Sequence, residues 1–290
     1  MSVTYSGETV SRQEQAQDIF DESWRAERQS VSELTYAELY RQERANRIAV
    51  QEASKAKDLS FAIVAHELRQ PLSAIFLWAQ WAGDPLLDDR DRHEALREIE
   101  SSARTQARLI EDLLDMARIL NGKLRVDLRP VELGGVIATA VDLARPAAKL
   151  KDVALIAEKD GDAVTVRGDE VRLRQVMGNL LGNALKFTPS GGTVRVDMER
   201  SESCVRTRVI DNGRGIKPEF LPCVFDWFQQ EGPDTRDGLG LGLPLVQKIV
   251  ELHGGTVRAD SEGPGRGAAF TVTLPTAEAI TESRGWSAAE

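Results

Sequence analysis

A regular spacing of apolar residues between positions 96 and 120 constrains the fold of this chain most. Leucine, isoleucine and alanine recur there at alternating steps of three and four, which places them along one seam of an α-helix. The seam consists of Leu96, Ile99, Ala103, Gln106, Ile110, Leu113, Ala117 and Leu120, with one polar member. We predict a helix that begins after Asp88-Asp89 and closes at Asn121-Gly122, because carboxylates suit a helix N-terminus and glycine suits a C-terminus.

The stretch before it, residues 61–82, has a second seam of the same kind. Its members are small or apolar: Phe61, Ala65, Leu68, Leu72, Ile75, Ala79 and Ala82. Gly83-Asp84-Pro85 interrupts the pattern, so two helices joined by a short loop form an antiparallel hairpin. One hairpin cannot bury both apolar stripes, whereas two hairpins can. We therefore predict a homodimer with a four-helix bundle.

His66 falls just beside the first seam, on the exposed flank of its helix, and Glu67 follows it. Taken alone, a single histidine in this position is more often an ordinary surface residue than a reactive one. Pro71 removes the backbone hydrogen bond to the carbonyl of Glu67. The sequence therefore predicts a kink about one turn beyond His66.

After Asn121 the pattern changes to short strands and helices in mixed order, which is typical of a two-layer α+β domain. The spacing predicts strands at 123–130, 153–156, 163–166, 193–196, 205–210, 256–259 and 269–274, with helices at 136–149, after Asp169 to 186, and from Pro244. We divide the chain into a polar, helix-favouring segment (1–57), the hairpin (58–121), the mixed domain (122–277) and a C-terminal tail (278–290).

One predicted helix of the mixed domain carries side chains suited to a metal and to phosphate. Asn179, Asn183 and Lys186 are spaced by four and three residues, so they share one helical face. An asparagine oxygen can bind Mg²⁺, and a lysine ammonium can meet phosphate oxygens. Alone, such a face is more often a solvated surface than a site.

Two glycine-rich stretches add to this pattern. At residues 211–215 an apolar strand delivers Asp211 into the sequence DNGRG, which is either a hairpin turn or an adenine-binding carboxylate with glycines that allow close approach. Gly238, Gly240 and Gly242 precede a predicted helix, where bare amides and a helix N-terminus can bind phosphate. Each signal is weak alone. In this order they are strong together.

In that order the motifs resemble those of the sensor histidine kinases of two-component systems, over roughly residues 55–277. Residues 66–72 resemble the H box of the family, 179–186 its N box, 211–215 its first glycine box, Phe225 and Phe228 its F box, and 238–242 its second glycine box. The resemblance implies a helical hairpin that dimerises and carries a phosphoacceptor histidine. It also implies an α/β-sandwich ATP-binding domain of the type shared with gyrase and some chaperones.

The resemblance further implies a function and a set of roles. The protein would use ATP and Mg²⁺ to phosphorylate His66 and would pass the phosphoryl group to an aspartate in the receiver domain of a response regulator. Glu67 would orient or deprotonate the imidazole of His66. In the ATP-binding domain the implied roles are Mg²⁺ binding by Asn183 with help from Asn179, phosphate contact by Lys186, adenine recognition by Asp211, pocket shaping by Gly213 and Gly215, and phosphate binding by Gly238, Gly240 and Gly242.

Two segments carry further expectations from the same resemblance. Residues 217–237 would form a lid over the nucleotide, anchored by Phe225 and Phe228. Gln70 stands where the family often has threonine or asparagine, which helps to place a water for dephosphorylating the regulator. The Gln70 amide could do the same from a longer stem, or it could fail to.

The composition of the chain limits the classes of partner and location that are possible. A net charge of −9 and a pI near 5.1 argue against a nucleic-acid partner, and no apolar run approaches the roughly 18 to 20 residues of a membrane span. Cys204 and Cys223 lack metal-site spacing, so we expect reduced thiols and a cytoplasmic protein.

A DNA-remodelling or chaperone ATPase would share the nucleotide motifs without needing His66-Glu67. A non-enzymatic phosphotransfer scaffold would keep His66 and could lose the nucleotide residues.

Overall fold

The computed structural model describes residues 64–157, 164–231 and 238–277, and all of them belong to one compact unit. The predicted N-terminal segment (1–57) and C-terminal tail (278–290) lie outside these ranges. No helix in the described ranges is long and apolar enough to cross a bilayer.

The two seams form the predicted helices. Helix α1 covers 64–82 of the described residues and continues through Pro71, and helix α2 spans Asp89–Leu120. Asp88 caps α2 by accepting a hydrogen bond from the Asp91 N–H at 2.8 Å. Beyond its end Gly122 adopts a left-handed φ of 63°, as its position after Asn121 predicts. The prediction of both helices is confirmed.

Large apolar side chains remain exposed along this hairpin. They include members of both seams and their neighbours: Leu72, Phe76, Leu77, Leu96, Ile110, Leu114 and Leu120. Within the described part of the chain, nothing covers this stripe from solvent. A contiguous exposed apolar stripe on a helix pair is typical of an interaction surface.

The rest of the described chain folds as a sheet covered by helices. A five-stranded sheet has the order β2-β4-β5-β7-β6, with β2 at Ala154–Ala157, β4 at Thr193–Arg200, β5 at Cys204–Asp211, β6 at Thr256–Asp260 and β7 at Ala268–Pro275. Three helices pack over it: α3 (Leu133–Leu150), α4 (Glu170–Phe187) and α5 (Gly242–Leu252). Burial alternates along β7, which shows that one sheet face packs on the core.

The core between the layers consists of apolar side chains from both. Its fully buried members include Leu173, Leu180 and Leu181 of α4, Leu245 and Ile249 of α5, and Val194, Val196 and Val205 of the sheet. The predicted two-layer domain after the hairpin is therefore confirmed. Most apolar residues of α4 lie in this core, and its polar residues Asn179, Asn183 and Lys186 lie outside it.

One predicted strand is too long. Of residues 123–130, only the end belongs to strand β1 (Arg129–Glu132), and the residues before it form no strand. Strand β1 pairs with β3 (Thr165–Gly168), which offers only four partners. The alternating pattern at 123–128 thus has no neighbouring backbone with which to form a ladder. Other predicted elements shift by a few residues at their ends, and β4 extends to Arg200.

Candidate nucleotide and phosphoacceptor site

A cavity of about 440 Å³ lies beside the polar stripe of α4. It is lined by most of the residues that the motifs single out: Asn179, Asn183, Lys186, Asp211, Gly215, Gly238, Gly240 and Gly242. Residues far apart in sequence thus meet at one place. Of the predicted nucleotide-binding residues, Gly213 does not line the cavity, and neither do His66, Glu67 and Gln70 of the hairpin.

The polar stripe of α4 is positioned by its N-cap and its packing. Asp169 accepts hydrogen bonds from the Val171 and Arg172 N–H groups and so fixes where the helix begins. The amide nitrogen of Asn179 is buried and finds no hydrogen-bond partner among the described residues. A buried donor without a partner is costly unless a ligand or water satisfies it. Because Asn179 lines the cavity, a ligand or water bound there can satisfy this donor.

Asp211 ends strand β5 and lies buried at the cavity wall. Its Oδ1 accepts a hydrogen bond from the Gly213 N–H at 2.9 Å. Burial raises the pKa of Asp211, and backbone N–H groups of Gly213 and Ala268 oppose that rise. Together these contacts hold a carboxylate in a fixed orientation against the cavity.

Gly213 and Gly215 shape the loop that follows Asp211. A Cβ on Gly213 would collide with the backbone carbonyl of Phe187, and one on Gly215 with that of Gly263. Gly215 also adopts a left-handed φ of 70°. Gly213 therefore acts on the site through the packing of its loop against the end of α4, which is why it is absent from the cavity wall.

The second glycine stretch closes the cavity next to α5. Gly240 has a φ of 66°, and a Cβ on it would lie 2.8 Å from the carbonyl oxygen of Gln229. The Phe228 N–H donates to the Gly240 carbonyl at 3.2 Å, which joins the two sides of this segment. Gly242 is the first residue of α5, so the unpaired N–H groups of that helix open beside the cavity.

The predicted lid is described in part, over residues 217–231. Phe225 packs edge-on against Phe270, with ring centroids 6.4 Å apart, and lies against the core. Phe228 adopts a left-handed φ of 63°. The residues of this segment that line the cavity are instead Phe220, Val224 and 229–231. Residues 232–237 of the predicted lid lie outside the described ranges.

His66 lies on the exposed flank of α1, as the seam predicts. The Gln70 side-chain amide nitrogen lies 3.1 Å from Nε2 of His66. An amide N–H donates, so the contact suits the ring tautomer that carries its proton on Nδ1 and its lone pair on Nε2.

Glu67 is only 6% exposed, unlike its neighbour His66. Burial raises its pKa, while the positive charges of His66 and Lys186 act in the opposite direction. Lys186 lies at the end of α4, on the cavity wall.

Four residues of α2 line the cavity and were not predicted to do so. They are Thr105, Arg108, Leu109 and Asp112, and they lie outside the seam. Burial raises the pKa of Asp112 to about 6, assisted by Asp115 and opposed by Arg108. The spacing of these residues by three and four was the available signal, since it marks a second, polar stripe on the helix.

Two cations at the cavity wall pack on one aromatic ring. The Arg214 guanidinium lies 3.9 Å from the centroid of the Phe187 ring, and Nζ of Lys186 lies 5.0 Å from it. Sequence reasoning placed Lys186 at the site and missed Arg214. The signal for Arg214 was its place between the two glycines of the DNGRG loop.

The side chains at the cavity wall suit a magnesium ion that is bound together with a nucleotide. No group of three His, Cys, Asp or Glu side chains that could hold a metal ion occurs among the described residues. Magnesium commonly takes few protein ligands and completes its shell with phosphate oxygens and water. The side-chain amide oxygens of Asn179 and Asn183 at the cavity wall fit that requirement, while the unpaired N–H donor of Asn179 suits a phosphate oxygen.

The fold places an α/β domain with a polar cavity after a helical hairpin, and two family models match these two parts. Residues 168–278 match the family described as histidine kinase-, DNA gyrase B- and HSP90-like ATPases. Residues 56–122 match the His Kinase A (phospho-acceptor) domain. The chain belongs to the sensor histidine kinases of two-component systems.

Individual relatives and solved structures are similar over about three quarters of this chain. The sensor protein DivL of Caulobacter vibrioides is 37% identical over 229 residues, covering 78% of this chain and 29% of that protein. The crystal structure of full-length ShkA in complex with AMPPNP is 30% identical with a TM-score of 0.56, covering 74% of this chain and 45% of that one. The complex of the histidine kinase ThkA with the response regulator TrrA shares the fold at 24% identity and a TM-score of 0.54, covering 74% and 60%. This chain thus spans less than two thirds of each.

Proposed function

We propose that this chain is the catalytic core of an ATP-dependent protein-histidine kinase that phosphorylates its own His66. The observation that carries the proposal is the cavity, in which the asparagines and lysine of α4, Asp211 and four of the motif glycines meet in the same compact unit as His66. The similarity to ShkA, solved with the ATP analogue AMPPNP, supports a nucleotide in this cavity.

In the proposed reaction, Nε2 of neutral His66 attacks the γ-phosphorus of ATP. A phosphorus–nitrogen bond forms while the bond from the γ-phosphorus to the β–γ bridging oxygen breaks, and ADP leaves with that electron pair. The attack requires the Gln70 amide to release Nε2. Glu67, whose pKa is raised by burial, accepts the Nδ1 proton as the ring becomes cationic.

The cavity residues hold the nucleotide for this step. Asp211 accepts a hydrogen bond from the adenine amino group, and Gly238, Gly240 and Gly242 admit the phosphates to the N-terminus of α5. Lys186 contacts a phosphate, and Asn183, assisted by Asn179, would hold Mg²⁺. When bound, magnesium supplies neutralisation of the developing charge on the triphosphate. Positioning and charge neutralisation then carry the catalysis.

Two partners belong to the proposal. The phosphoryl group passes from His66 to an aspartate of a response-regulator receiver domain, as the complex of ThkA with TrrA suggests for that kinase. The exposed apolar stripe of the hairpin packs against a second copy in a four-helix bundle. A cytoplasmic location completes the proposal, since ATP is available there.

Incubation with γ-labelled ATP and Mg²⁺ tests the function. We expect acid-labile, base-stable label on the protein, lost in His66→Ala and strongly reduced in Asn183→Ala. His93→Ala is the matched control, because His93 is an exposed histidine on the same hairpin, and it should keep the label. Label that survives His66→Ala contradicts the proposal. ATP hydrolysis without any label would instead indicate an ATPase of the gyrase or chaperone class.

A further inference from the structure

A buried ionic cluster joins the hairpin to the nucleotide helix. Asp115 of α2 is 3% exposed, and both of its oxygens are occupied. Oδ1 accepts from Nη2 of Arg172 at 3.1 Å and from Nη1 of Arg118 at 3.2 Å. Oδ2 accepts from Nη1 of Arg172 and from Nε2 of Gln175 at 3.0 Å. The Asp115–Arg172 contact is therefore bidentate.

The two α4 residues that bind Asp115 are also hydrogen-bonded to each other. Nη1 of Arg172 also donates to Oε1 of Gln175 at 2.8 Å, so the two α4 side chains support each other. Burial acts to raise the pKa of Asp115, but the hydrogen bonds from Arg172, Gln175 and Arg118 lower it overall. Asp115 therefore stays ionised at neutral pH. Removal of one partner would leave a buried charge without compensation.

The cluster sits at one end of the nucleotide cavity and connects its two walls. On α2, Asp112 and Arg108 lie about one and two turns before Asp115, and both line the cavity. On α4, Asn179 and Asn183 lie about two and three turns after Arg172, and both line it too. The first half of helix α4 is thus fixed to the hairpin, and its second half lines the nucleotide cavity.

Glu67, next to His66 on α1, is buried, and the positive charge of Lys186 on α4 opposes the rise that burial causes in its pKa. This effect of α4 on the hairpin agrees with the docking that the Asp115–Arg172 contact fixes.

We propose that Asp115 is a positioning residue for phosphoryl transfer: through Arg172 and Gln175 it holds α4, and the nucleotide bound along it, against the hairpin that carries His66. This inference rests on the proposed kinase function and adds a residue outside the family motifs. Asp115 touches neither the nucleotide cavity nor His66, so its effect falls on the rate of transfer and not on nucleotide binding.

The test separates nucleotide binding from transfer in the full chain. For wild type, Asp115→Asn and Arg172→Gln, the affinity for ATP is measured by calorimetry on a non-hydrolysable analogue. The autophosphorylation rate is measured in single turnover at saturating labelled ATP. We expect the affinity to stay within about threefold and the rate to fall at least about tenfold in both variants, since small misplacements of reacting groups have large effects on rate.

Two further variants sharpen the result. Asp142→Asn is the matched control, because it breaks an exposed ion pair with Arg145 on α3, and its rate should stay unchanged. The double variant Asp115→Asn with Arg172→Gln should be no slower than either single variant, since both remove one interaction. Thermal unfolding, measured on the same samples, identifies any variant that fails to fold. If Arg172→Gln fails to fold, Arg172→Lys takes its place. That variant keeps the charge but loses the bidentate geometry, so its autophosphorylation rate should also fall.

Several outcomes would overturn the proposal. An unchanged rate in Asp115→Asn would show that the cluster positions nothing, and a faster rate would show that it inhibits. A parallel loss of analogue affinity would show damage to the nucleotide site. If wild type itself takes no label on His66, the proposed kinase function fails first, which is distinct from labelled wild type with unaffected variants.

Discussion

Asp211 offers the sharpest test of how the cavity recognises its nucleotide. In Asp211→Asn one oxygen can still accept the 2.9 Å hydrogen bond from the Gly213 N–H. The other becomes an N–H donor that faces the adenine amino group, so a donor meets a donor. The substitution thus removes the proposed base contact while keeping the loop contact.

The magnitude follows from the type of bond that is lost. A hydrogen bond to a charged group contributes about 1.5–3 kcal/mol, which corresponds to a roughly 10- to 150-fold weaker affinity. The raised pKa of Asp211 shows that burial disfavours its charge. Replacement by a neutral amide therefore removes that cost, and we expect no large loss of folding stability.

Calorimetric titration with an ATP analogue and with a GTP analogue measures the effect. We expect a roughly 10- to 150-fold loss for the adenine nucleotide and a much smaller change for the guanine nucleotide, which has no amino group at the corresponding position. Asp260→Asn is the control, since Asp260 is an exposed aspartate on β6. An unchanged affinity for the adenine nucleotide in Asp211→Asn would refute the assigned role.

Three further predictions address the cavity wall, the glycine stretch and the apolar stripe. Because the pKa of Asp112 is raised to about 6, the charge on this half-buried carboxylate destabilises the fold above that pH and not below the ordinary value of 3.8. Asp112→Asn should therefore raise the unfolding temperature at pH 7.5, with a gain that shrinks to nothing as the pH falls towards 3.8. Gly240→Ala should lower the free energy of unfolding by about 1–2 kcal/mol because of the left-handed backbone, and further because the new Cβ clashes with Gln229. It should also weaken the binding of the ATP analogue. Leu72→Asp should convert a dimer to a monomer by light scattering, because Leu72 is a seam residue that is 55% exposed.

Each of these has a control and a contradicting result. A gain for Asp112→Asn that does not depend on pH would contradict the pKa argument. Gly191→Ala has a similar φ of 77° with open space around it, so it should destabilise less than Gly240→Ala, and equal effects would remove the clash from the explanation. Leu150→Asp, at a 92% exposed site on α3, should leave the mass unchanged. A monomer mass for wild type at micromolar concentration would contradict the dimer.

The helices and the α4 stripe could be predicted because their signals are local. Steps of three and four mark a seam, Asp88 and Asp169 accept from their own first-turn amides, and one helix presents Asn179 and Asn183 together. These features depend on residues within a few turns. The structure therefore places them where the spacing indicates.

What the sequence could not indicate depends on how separate elements meet. Arg108 and Asp112 line the cavity only because α2 docks beside α4, and no local pattern states that register. Asp115 and Arg172 are 57 residues apart, so their pairing is visible only in three dimensions. The overlong strand at 123–130 has the same origin, since alternation does not reveal how many partner residues β3 supplies.

The central claim is that His66 receives the phosphoryl group of ATP. Its most direct measurement is proteolysis of the phosphorylated protein at alkaline pH, followed by mass spectrometric mapping of the peptides under conditions that preserve phosphohistidine. We predict one phosphoryl group on the peptide that contains His66 and none on the peptides with His93 or His253. A phosphoryl group on another residue, with His66 unmodified after ATP has been consumed, would contradict the account.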